Sequence, residues 1–285
     1  MFGNTRSFFS LQVAHTQLRV QASSEVQTSA SALPHSLLRW EDAREGFRYR
    51  AGARFDAANE FVFASPMVPQ DNAFAQYARP SFAPGAGLLA GAVHLMHRMH
   101  ADFTYESQST EVNTPALQAL AQRKGVCQDF AHIFVACLRS LGLAARYVSG
   151  YLLTEPPPGS VKLRGSDASH AWASVYVPDL AEGQRWVHLD PTNDRAGGAS
   201  PGEDYVLLGV GRDFSDVSPM RGVIRGGASH TLTVGVTVEP VAAPASATQS
   251  QSQSQSQSQG QSQSQGLAQG QSQAPDAAND GGRNR

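Results

Sequence analysis

Residues 123–132 read Arg123-Lys-Gly-Val-Cys-Gln-Asp-Phe-Ala-His132 and indicate how the centre of the chain folds. Its glycine introduces a turn, and apolar residues then recur at helical spacing until another glycine follows Leu141. This pattern predicts an amphipathic helix over Cys127–Leu141 that ends at a left-handed glycine. Cys127 therefore opens the helix, where unpaired backbone N–H groups and the helix dipole favour a thiolate.

Two more helices are predicted upstream of this stretch. Leucine, alanine and methionine residues at helical spacing predict the first one over Gly87–Ala101. The second is indicated by Thr114 as N-cap, by Pro115 at the first helical position and by strong helix formers through Ala116–Lys124. Gly125 is expected to end this helix in the left-handed conformation.

Three histidines, His94, His97 and His100, recur at every third position of the first of these helices. A metal-binding stripe would need two of them on one face together with a ligand from elsewhere in the chain. We favour the other interpretation, in which they face solvent or lie at the edge of the core.

Runs rich in β-branched and aromatic residues predict strands after the helices. These runs are Ala144–Leu153, Ala171–Val177, Arg185–Leu189, Tyr205–Val210 and Thr231–Val238. Near the start of the chain, Ser10–Thr28 alternates in places and predicts one or two further strands. Helices followed by consecutive strands favour an α+β fold with an antiparallel sheet.

Two of the predicted strands form a hairpin that brings a histidine close to an aspartate. We expect Val177 to pair with Arg185 across the turn. In that register Trp172 lies opposite Asp190, and His170 is diagonal to the same aspartate. A shift of one residue would turn the aspartate to the other face. In the expected register the pair can serve as a base and the carboxylate that orients it, which a cysteine nucleophile requires.

Several separated motifs together resemble the bacterial transglutaminase-like family. They are Arg123–His132, Leu141–Tyr151, Asp167–Trp172, Asp190–Asn193 and Gly211–Gly222. The resemblance extends from about Gln76 to Pro240 and implies a papain-like core that transfers acyl groups through a thioester. It assigns the catalytic roles to Cys127, His170 and Asp190. Because the family's genes often lie near those of ATP-grasp-type ligases, it also implies such a ligase as a partner.

Four residues around this triad receive supporting roles. Gln122, five positions before Cys127, is the predicted oxyanion donor, by analogy with the glutamine of papain-like enzymes. Trp172 is expected either to wall the site or to belong to the core, and His132 to pack or to form hydrogen bonds. Cys137 is interpreted as a structural thiol. Ten residues of one helix, about 15 Å along its axis, separate the two cysteines, so no disulfide is predicted.

The sequence divides into three parts. We interpret residues 1–75 as the remnant of an N-terminal β domain, residues 76–240 as the catalytic core with its C-terminal strands, and residues 241–285 as a disordered tail rich in Gln and Ser. The tail has too little apolar surface to offset the entropic cost of ordering it. The run Phe2-Gly3-Asn4 resembles a later part of the family's N-terminal domain, so we expect the first strands of that domain to be missing.

Composition restricts the classes of partner and the compartment. The net charge of the 285 residues is −2, which gives no basic excess for binding nucleic acid. No apolar run approaches the roughly 18 residues of a membrane span, and the first residues lack the pattern of a signal peptide. The cytoplasm is therefore the expected location, where both cysteines would remain free thiols.

The leading hypothesis is an enzyme in which a cysteine attacks peptide or glutamine-type amides. Water would complete hydrolysis, as in a protease or amidase, and a primary amine would complete transfer, as in a transglutaminase. The alternative is a non-catalytic transglutaminase-like fold that binds proteins. A zinc site built from Cys127, His132, His170 and Asp190 is the least supported hypothesis, because the sequence has no Cys-x-x-Cys or His-x-x-x-His pair. No metal or other cofactor is predicted.

Overall fold

A computed structural model of the chain describes residues 2–52, 55–106, 114–154, 169–223, 225–226 and 231–241. The segment Met1–Val241 forms one compact unit. The predicted disordered tail lies, beyond its first residue, outside the described part of the chain, and so does Asp167 of the resemblance motifs. Within the described ranges, no helix has both the length and the apolar character needed to cross a bilayer.

In the described chain five of the six α-helices precede the strands of the main sheet. The helices are α1 (Trp40–Gly46), α2 (Asn72–Ala78), α3 (Leu88–Asp102), α4 (Ala116–Gln122), α5 (Cys127–Ser140) and α6 (Phe214–Val217), with short 3-10 helices at Ala57–Val62 and Arg79–Ser81. The strands are β1 (Thr104–Tyr105), β2 (Lys124–Gly125), β3 (Ala145–Leu152), β4 (Ser169–Tyr176), β5 (Trp186–Asp190), β6 (Arg195–Gly197) and β7 (Tyr205–Gly211). This order confirms the predicted α+β class.

The main sheet has five antiparallel strands in the order β6-β5-β4-β3-β7. Helix α5 contacts β3 and β4 and also α2, α3 and α4, so it runs through the middle of the domain. Its Phe134 and Leu138 share one hydrophobic core with Ala173 and Val175 of β4 and Leu189 of β5. The residue that opens α5 is therefore held on the most deeply buried helix of the fold.

The predicted bounds of two helices are confirmed to within one residue. Helix α3 runs over Leu88–Asp102 and α5 over Cys127–Ser140. Gly142 has a φ of +79°, which is the left-handed conformation expected after α5.

The predicted end of α4 is wrong. The left-handed residue is Arg123, with a φ of +54°, and not Gly125. The Arg123 guanidinium lies 4.1 Å from the centre of the Tyr77 ring and 5.0 Å from that of Phe103, and these contacts hold it in place. Gly125 instead belongs to β2. A Cβ at Gly125 would lie 2.6 Å from a carboxylate oxygen of Asp129, which explains why this position has no side chain.

The strands predicted for Ser10–Thr28 and Thr231–Val238 are also wrong, because neither segment forms a strand. Alternating sequence indicates a strand only where a sheet offers a partner and a face to cover. Most apolar side chains of these segments remain in solvent, with Val13 80% and Leu232 66% exposed, while Val236 is buried at an isolated bridge. Strand β6 was not predicted, because three residues are too few to show a periodic pattern.

The run Phe2-Gly3-Asn4 lies along the outer edge of β7. The Asn4 side chain accepts a hydrogen bond from the Val210 N–H at 3.0 Å and donates one to the Val210 carbonyl at 2.7 Å. The Phe2 ring packs 5.1 Å from that of Phe61. One asparagine thus covers part of an edge that would otherwise present unpaired backbone groups.

Candidate active site

Cys127 is the first residue of α5 and is half-buried. It packs beside Tyr147 and Ala171, which belong to β3 and β4. The backbone N–H of Val126, just before the helix, donates to Asp129 Oδ2 at 2.8 Å, so a side chain of the first turn caps the helix. This cap fixes the turn that presents the Cys127 thiol at the positive end of the helix dipole.

The predicted register of the β4–β5 hairpin is confirmed. The Val177 N–H donates to the Arg185 carbonyl at 2.7 Å, and Ala173 pairs with Leu189, which is the register that sets Trp172 opposite Asp190. The His170 Nε2–H donates to Asp190 Oδ2 at 2.7 Å. His170 is 8% exposed and Asp190 is fully buried. The structure therefore brings these two predicted site residues into direct contact in a site shielded from solvent.

Cys127 packs against Ala171, the neighbour of His170 on β4, and the electrostatic influence of its side chain reaches the His170 ring. Since Nε2 faces Asp190, Nδ1 is the ring nitrogen that remains for the sulfur. Burial alone would lower the pKa of His170, but the hydrogen bond to Asp190 and the negative charges of Asp190 and Cys127 outweigh it and raise the pKa to about 10. The imidazolium is thus the favoured form of His170 at neutral pH.

The carboxylate of Asp190 is saturated with hydrogen bonds. Its Oδ2 accepts from His170, from the Tyr205 hydroxyl at 2.7 Å and from Asn193 Nδ2 at 2.8 Å, and its Oδ1 accepts from the Thr192 N–H at 2.9 Å. Burial acts to raise the pKa of Asp190, but the hydrogen bond and charge of His170, with the bonds from Tyr205 and Asn193, hold it below its ordinary value. The group is therefore kept ionised and fixed in orientation.

Neither Tyr205 nor Asn193 is assigned to the site by the sequence. Asn193 belongs to the same motif as Asp190, which was the only available indication of its role. Tyr205 lies on β7, three strands away from β5 in the sheet, so no local spacing relates it to Asp190. The Arg195 guanidinium, 4.8 Å from the Tyr205 ring, is itself paired with Asp204 at 2.6 Å, and these contacts hold the tyrosine against the carboxylate.

Trp172 supports His170 from within the core. It is 1% exposed, and its ring stacks on that of His170 with a centroid distance of 5.9 Å and an interplanar angle of 24°. Its Nε1–H donates to His188 Nδ1 at 2.9 Å, and burial, followed by the charge of Arg146, lowers the pKa of His188 to about 3. A Cβ at Gly150 would lie 2.5 Å from the indole, which leaves no room for a side chain there. Trp172 therefore fits both of the predicted roles, because it belongs to the core and also lies against the site.

Gln122, the predicted oxyanion donor, is the last residue of α4 and is exposed. Among the described residues it forms no hydrogen bond with Cys127 or His170. Its role therefore stays a prediction.

His132 and Cys137 lie deeper in α5. His132 Nε2 accepts from the Phe214 N–H at 3.2 Å, its ring lies 4.8 Å from that of Tyr147, and burial lowers its pKa to about 4. These contacts agree with a packing and hydrogen-bonding role. Cys137 is fully buried, and its burial raises its pKa above the ordinary value. The two thiols of the chain are therefore in opposite environments.

The three histidines of α3 do not converge on one point. Each ring contacts a separate oxygen: His94 with Ser81 Oγ (3.0 Å), His97 with Asp194 Oδ1 (2.5 Å) and His100 with the Thr192 carbonyl (3.1 Å). Two of these contacts steady the loop that follows Asp190. In the ranges that the structure describes, no group of three His, Cys, Asp or Glu residues is placed to hold a metal ion.

Comparisons with known proteins relate this chain to a family. Residues 75–191 match the model of the transglutaminase-like superfamily. An uncharacterized protein of Mycobacterium tuberculosis is 40% identical over 245 residues, which are 84% of this chain and 75% of that protein. An uncharacterized protein of Mycobacterium leprae is 31% identical over 242 residues, 85% of this chain and 80% of that protein.

A solved structure from Cytophaga hutchinsonii, provisionally named a cysteine protease, is 25% identical with a TM-score of 0.46. That match covers 57% of this chain and half of the Cytophaga chain. The helices followed by an antiparallel five-stranded sheet, with a cysteine at the head of the central helix, define a transglutaminase-like core. The chain belongs to the transglutaminase-like superfamily.

Proposed function

We propose that this protein is a cysteine-dependent acyl-transfer enzyme with Cys127 as nucleophile, His170 as general base and acid, and Asp190 as the group that orients the histidine. The arrangement of Cys127, His170 and Asp190 carries the proposal: His170 donates to Asp190, and Cys127 packs against Ala171, the next residue of the strand that holds the histidine. Its histidine and aspartate are buried, and the thiol at its end is half-buried. A nucleophile needs such a base and orienter, and it must also remain accessible to substrate.

In the first half of the reaction His170 holds the proton of the Cys127 thiol, and the thiolate attacks the carbonyl carbon of an amide. The C–N bond then breaks as His170 gives its proton to the departing amine, and a thioester remains on the sulfur. Asp190 keeps the imidazole in orientation and stabilises its charge without taking the proton. The buried Trp172 and Tyr205 rings fix the imidazole against rotation.

In the second half an acceptor releases the acyl group. His170 takes a proton from water or from a primary amine, the acceptor attacks the thioester, and Cys127 leaves as a thiolate. Water gives a carboxylic acid, and an amine gives a new amide. The same three side chains serve both outcomes, so the proposed substrate class is peptide or glutamine-type amides with either acceptor.

Two further proposals follow from the sequence. An ATP-grasp-type ligase, which would build amides of the same class, is proposed as a partner of this enzyme. The cytoplasm is proposed as its location, which two free cysteines support. The chemistry of the triad requires neither proposal.

The proposed function is tested with p-nitrophenyl acetate, an activated ester that acylates reactive thiols. We expect the wild-type protein to release a burst of one p-nitrophenolate per chain and to carry one acetyl group on Cys127, located by mass spectrometry. Cys127→Ala should abolish the burst, and the matched control Cys137→Ala should retain it, because that thiol is fully buried. Acetylation that is slow and equal at both cysteines of a folded wild-type sample would favour the alternative, a binding module without catalysis.

A further inference from the structure

A cavity between α2, α3 and α4 contains two arginines, and none of its lining residues belongs to the triad. Its volume is about 460 Å³, which is in the range of sites that bind small organic molecules. One part of its wall is aliphatic, and the rest is formed by polar and charged side chains. The lining residues include Gln76 and Tyr77 of α2, Arg98 of α3, Leu117 and Leu120 of α4, and Arg123.

Both arginines lie against one aromatic ring. The guanidinium carbon of Arg123 is 4.1 Å from the centre of the Tyr77 ring, and that of Arg98 is 4.8 Å from it. Arg98 is held in place by hydrogen bonds from its Nη1 to the Tyr77 carbonyl at 3.0 Å and to Ser81 Oγ at 3.1 Å. The two positive charges are therefore fixed close to each other at the wall of the cavity.

Among the described side chains, one carboxylate pairs with these arginines. Asp102 Oδ2 lies 4.0 Å from the Arg98 guanidinium and accepts a hydrogen bond from the Tyr77 hydroxyl at 2.8 Å. The Arg123 guanidinium forms neither an ion pair nor a hydrogen bond with any residue that the structure describes, and its Nη1 is buried. The wall of the cavity thus carries one positive charge in excess.

The unpaired guanidinium of Arg123 is costly to the fold, because buried donors without acceptors are destabilising. Its backbone is left-handed as well, with a φ of +54°, a conformation that glycine adopts at lower cost. The aromatic rings stabilise the charge through cation–π contacts but supply no oxygen to its N–H groups. The best match for a planar guanidinium is a carboxylate, whose two oxygens accept two parallel hydrogen bonds.

We propose that this cavity binds a small organic monocarboxylate, whose carboxylate pairs with Arg123 and whose aliphatic part packs on Leu117 and Leu120. A single negative charge matches the single positive charge in excess. A phosphate dianion would be repelled by the nearby Asp102, and it would leave the aliphatic part of the wall uncovered. The inference does not rest on the proposed function, because it involves no step at Cys127.

Isothermal titration calorimetry with N-acetylleucine tests this site on the wild-type protein. N-acetylleucinol is the matched ligand, because it replaces only the carboxylate by a neutral hydroxymethyl group. We expect the acid to bind about 10- to 100-fold more tightly than the alcohol, the scale of hydrogen bonds between charged groups. Equal affinities for the two ligands, or no binding of the acid, would overturn the inference. Inorganic phosphate should bind more weakly than the acid, and phosphate that bound as tightly would overturn the assignment to a carboxylate.

Arg123→Gln is expected to lower the affinity for N-acetylleucine by about 10- to 100-fold. Arg50→Gln is the matched control, because Arg50 is exposed and outside the cavity, and its affinity should equal that of wild type. Arg123→Lys serves if the glutamine variant does not fold, since it keeps the charge and loses the paired donors, and its affinity should fall by about 10-fold. Wild-type affinity in either variant, once folded, would contradict the proposed site.

Discussion

Replacing Asp190 by asparagine is expected to slow the acetylation of Cys127 by p-nitrophenyl acetate by about 10³-fold or more, as for other triad aspartates. The neutral amide cannot stabilise the His170 imidazolium. It also brings two N–H donors into a place where His170, Tyr205 and Asn193 donate to one oxygen and the Thr192 N–H donates to the other. Either orientation of the amide therefore sets donor against donor, and the imidazole loses its fixed position. Stopped-flow release of p-nitrophenolate measures the change.

Asp194→Asn is the control for this substitution. Asp194 lies in the same loop, its side chain is partly exposed, and it contacts the surface residue His97. Its left-handed backbone, with a φ of +55°, suits asparagine as well as aspartate. We expect the control to acetylate at the wild-type rate. If Asp190→Asn reacted as fast as this control while remaining folded, Asp190 would have no role in orienting the histidine.

Replacing Arg139 by methionine is expected to lower the free energy of unfolding by about 3 to 5 kcal/mol. Arg139 is 1% exposed on α5, and its guanidinium donates to the carbonyls of Ala145, Phe63 and Arg212 and to Ser65 Oγ at 2.8 to 3.3 Å. Methionine fills a similar volume but donates nothing, so several buried oxygens lose their partners. Urea denaturation followed by circular dichroism measures the difference.

Arg50→Met serves as the control for this substitution, because Arg50 is exposed and its side chain donates to the Glu45 carbonyl only at a long 3.5 Å among the residues that the structure describes. We expect its unfolding midpoint to match that of wild type. Equal midpoints for Arg139→Met and wild type would show that the buried guanidinium does not hold α5 to the sheet.

The central helix and the hairpin could be predicted because local pattern and tertiary packing agree there. The apolar residues of α5 recur at helical spacing because both the sheet and the other helices pack against it, and Gly142 adopts the left-handed conformation that favours glycine. In the hairpin, one assumed pair, Val177 with Arg185, fixes every other pair, since side chains alternate between faces. The contact between His170 and Asp190 follows from that register.

The remaining features depend on residues that are distant in sequence. Arg123 ends α4 because aromatic rings from two other elements hold its side chain, and propensity alone favours the nearby Gly125. Tyr205 reaches Asp190 from the far edge of the sheet. Ser10–Thr28 shows the opposite situation. Its sequence alternates as a strand would, but no strand of the described residues pairs with it.

Activation of Cys127 by His170 is measured by iodoacetamide alkylation between pH 4 and pH 9, with each cysteine mapped by mass spectrometry in wild type and in His170→Ala. The pKa of His170 is raised to about 10, so below that pH its imidazolium is present to hold a thiolate at Cys127. We expect Cys127 to react rapidly at pH 6, where an ordinary thiol with a pKa of about 8.5 is almost fully protonated. Cys137 is fully buried and should stay unmodified in the folded protein. Without His170, the reaction at pH 6 should fall by about 100-fold, the scale of a lost acid–base partner. Superimposable pH profiles of Cys127 in folded wild type and His170→Ala would contradict a nucleophile activated by this histidine.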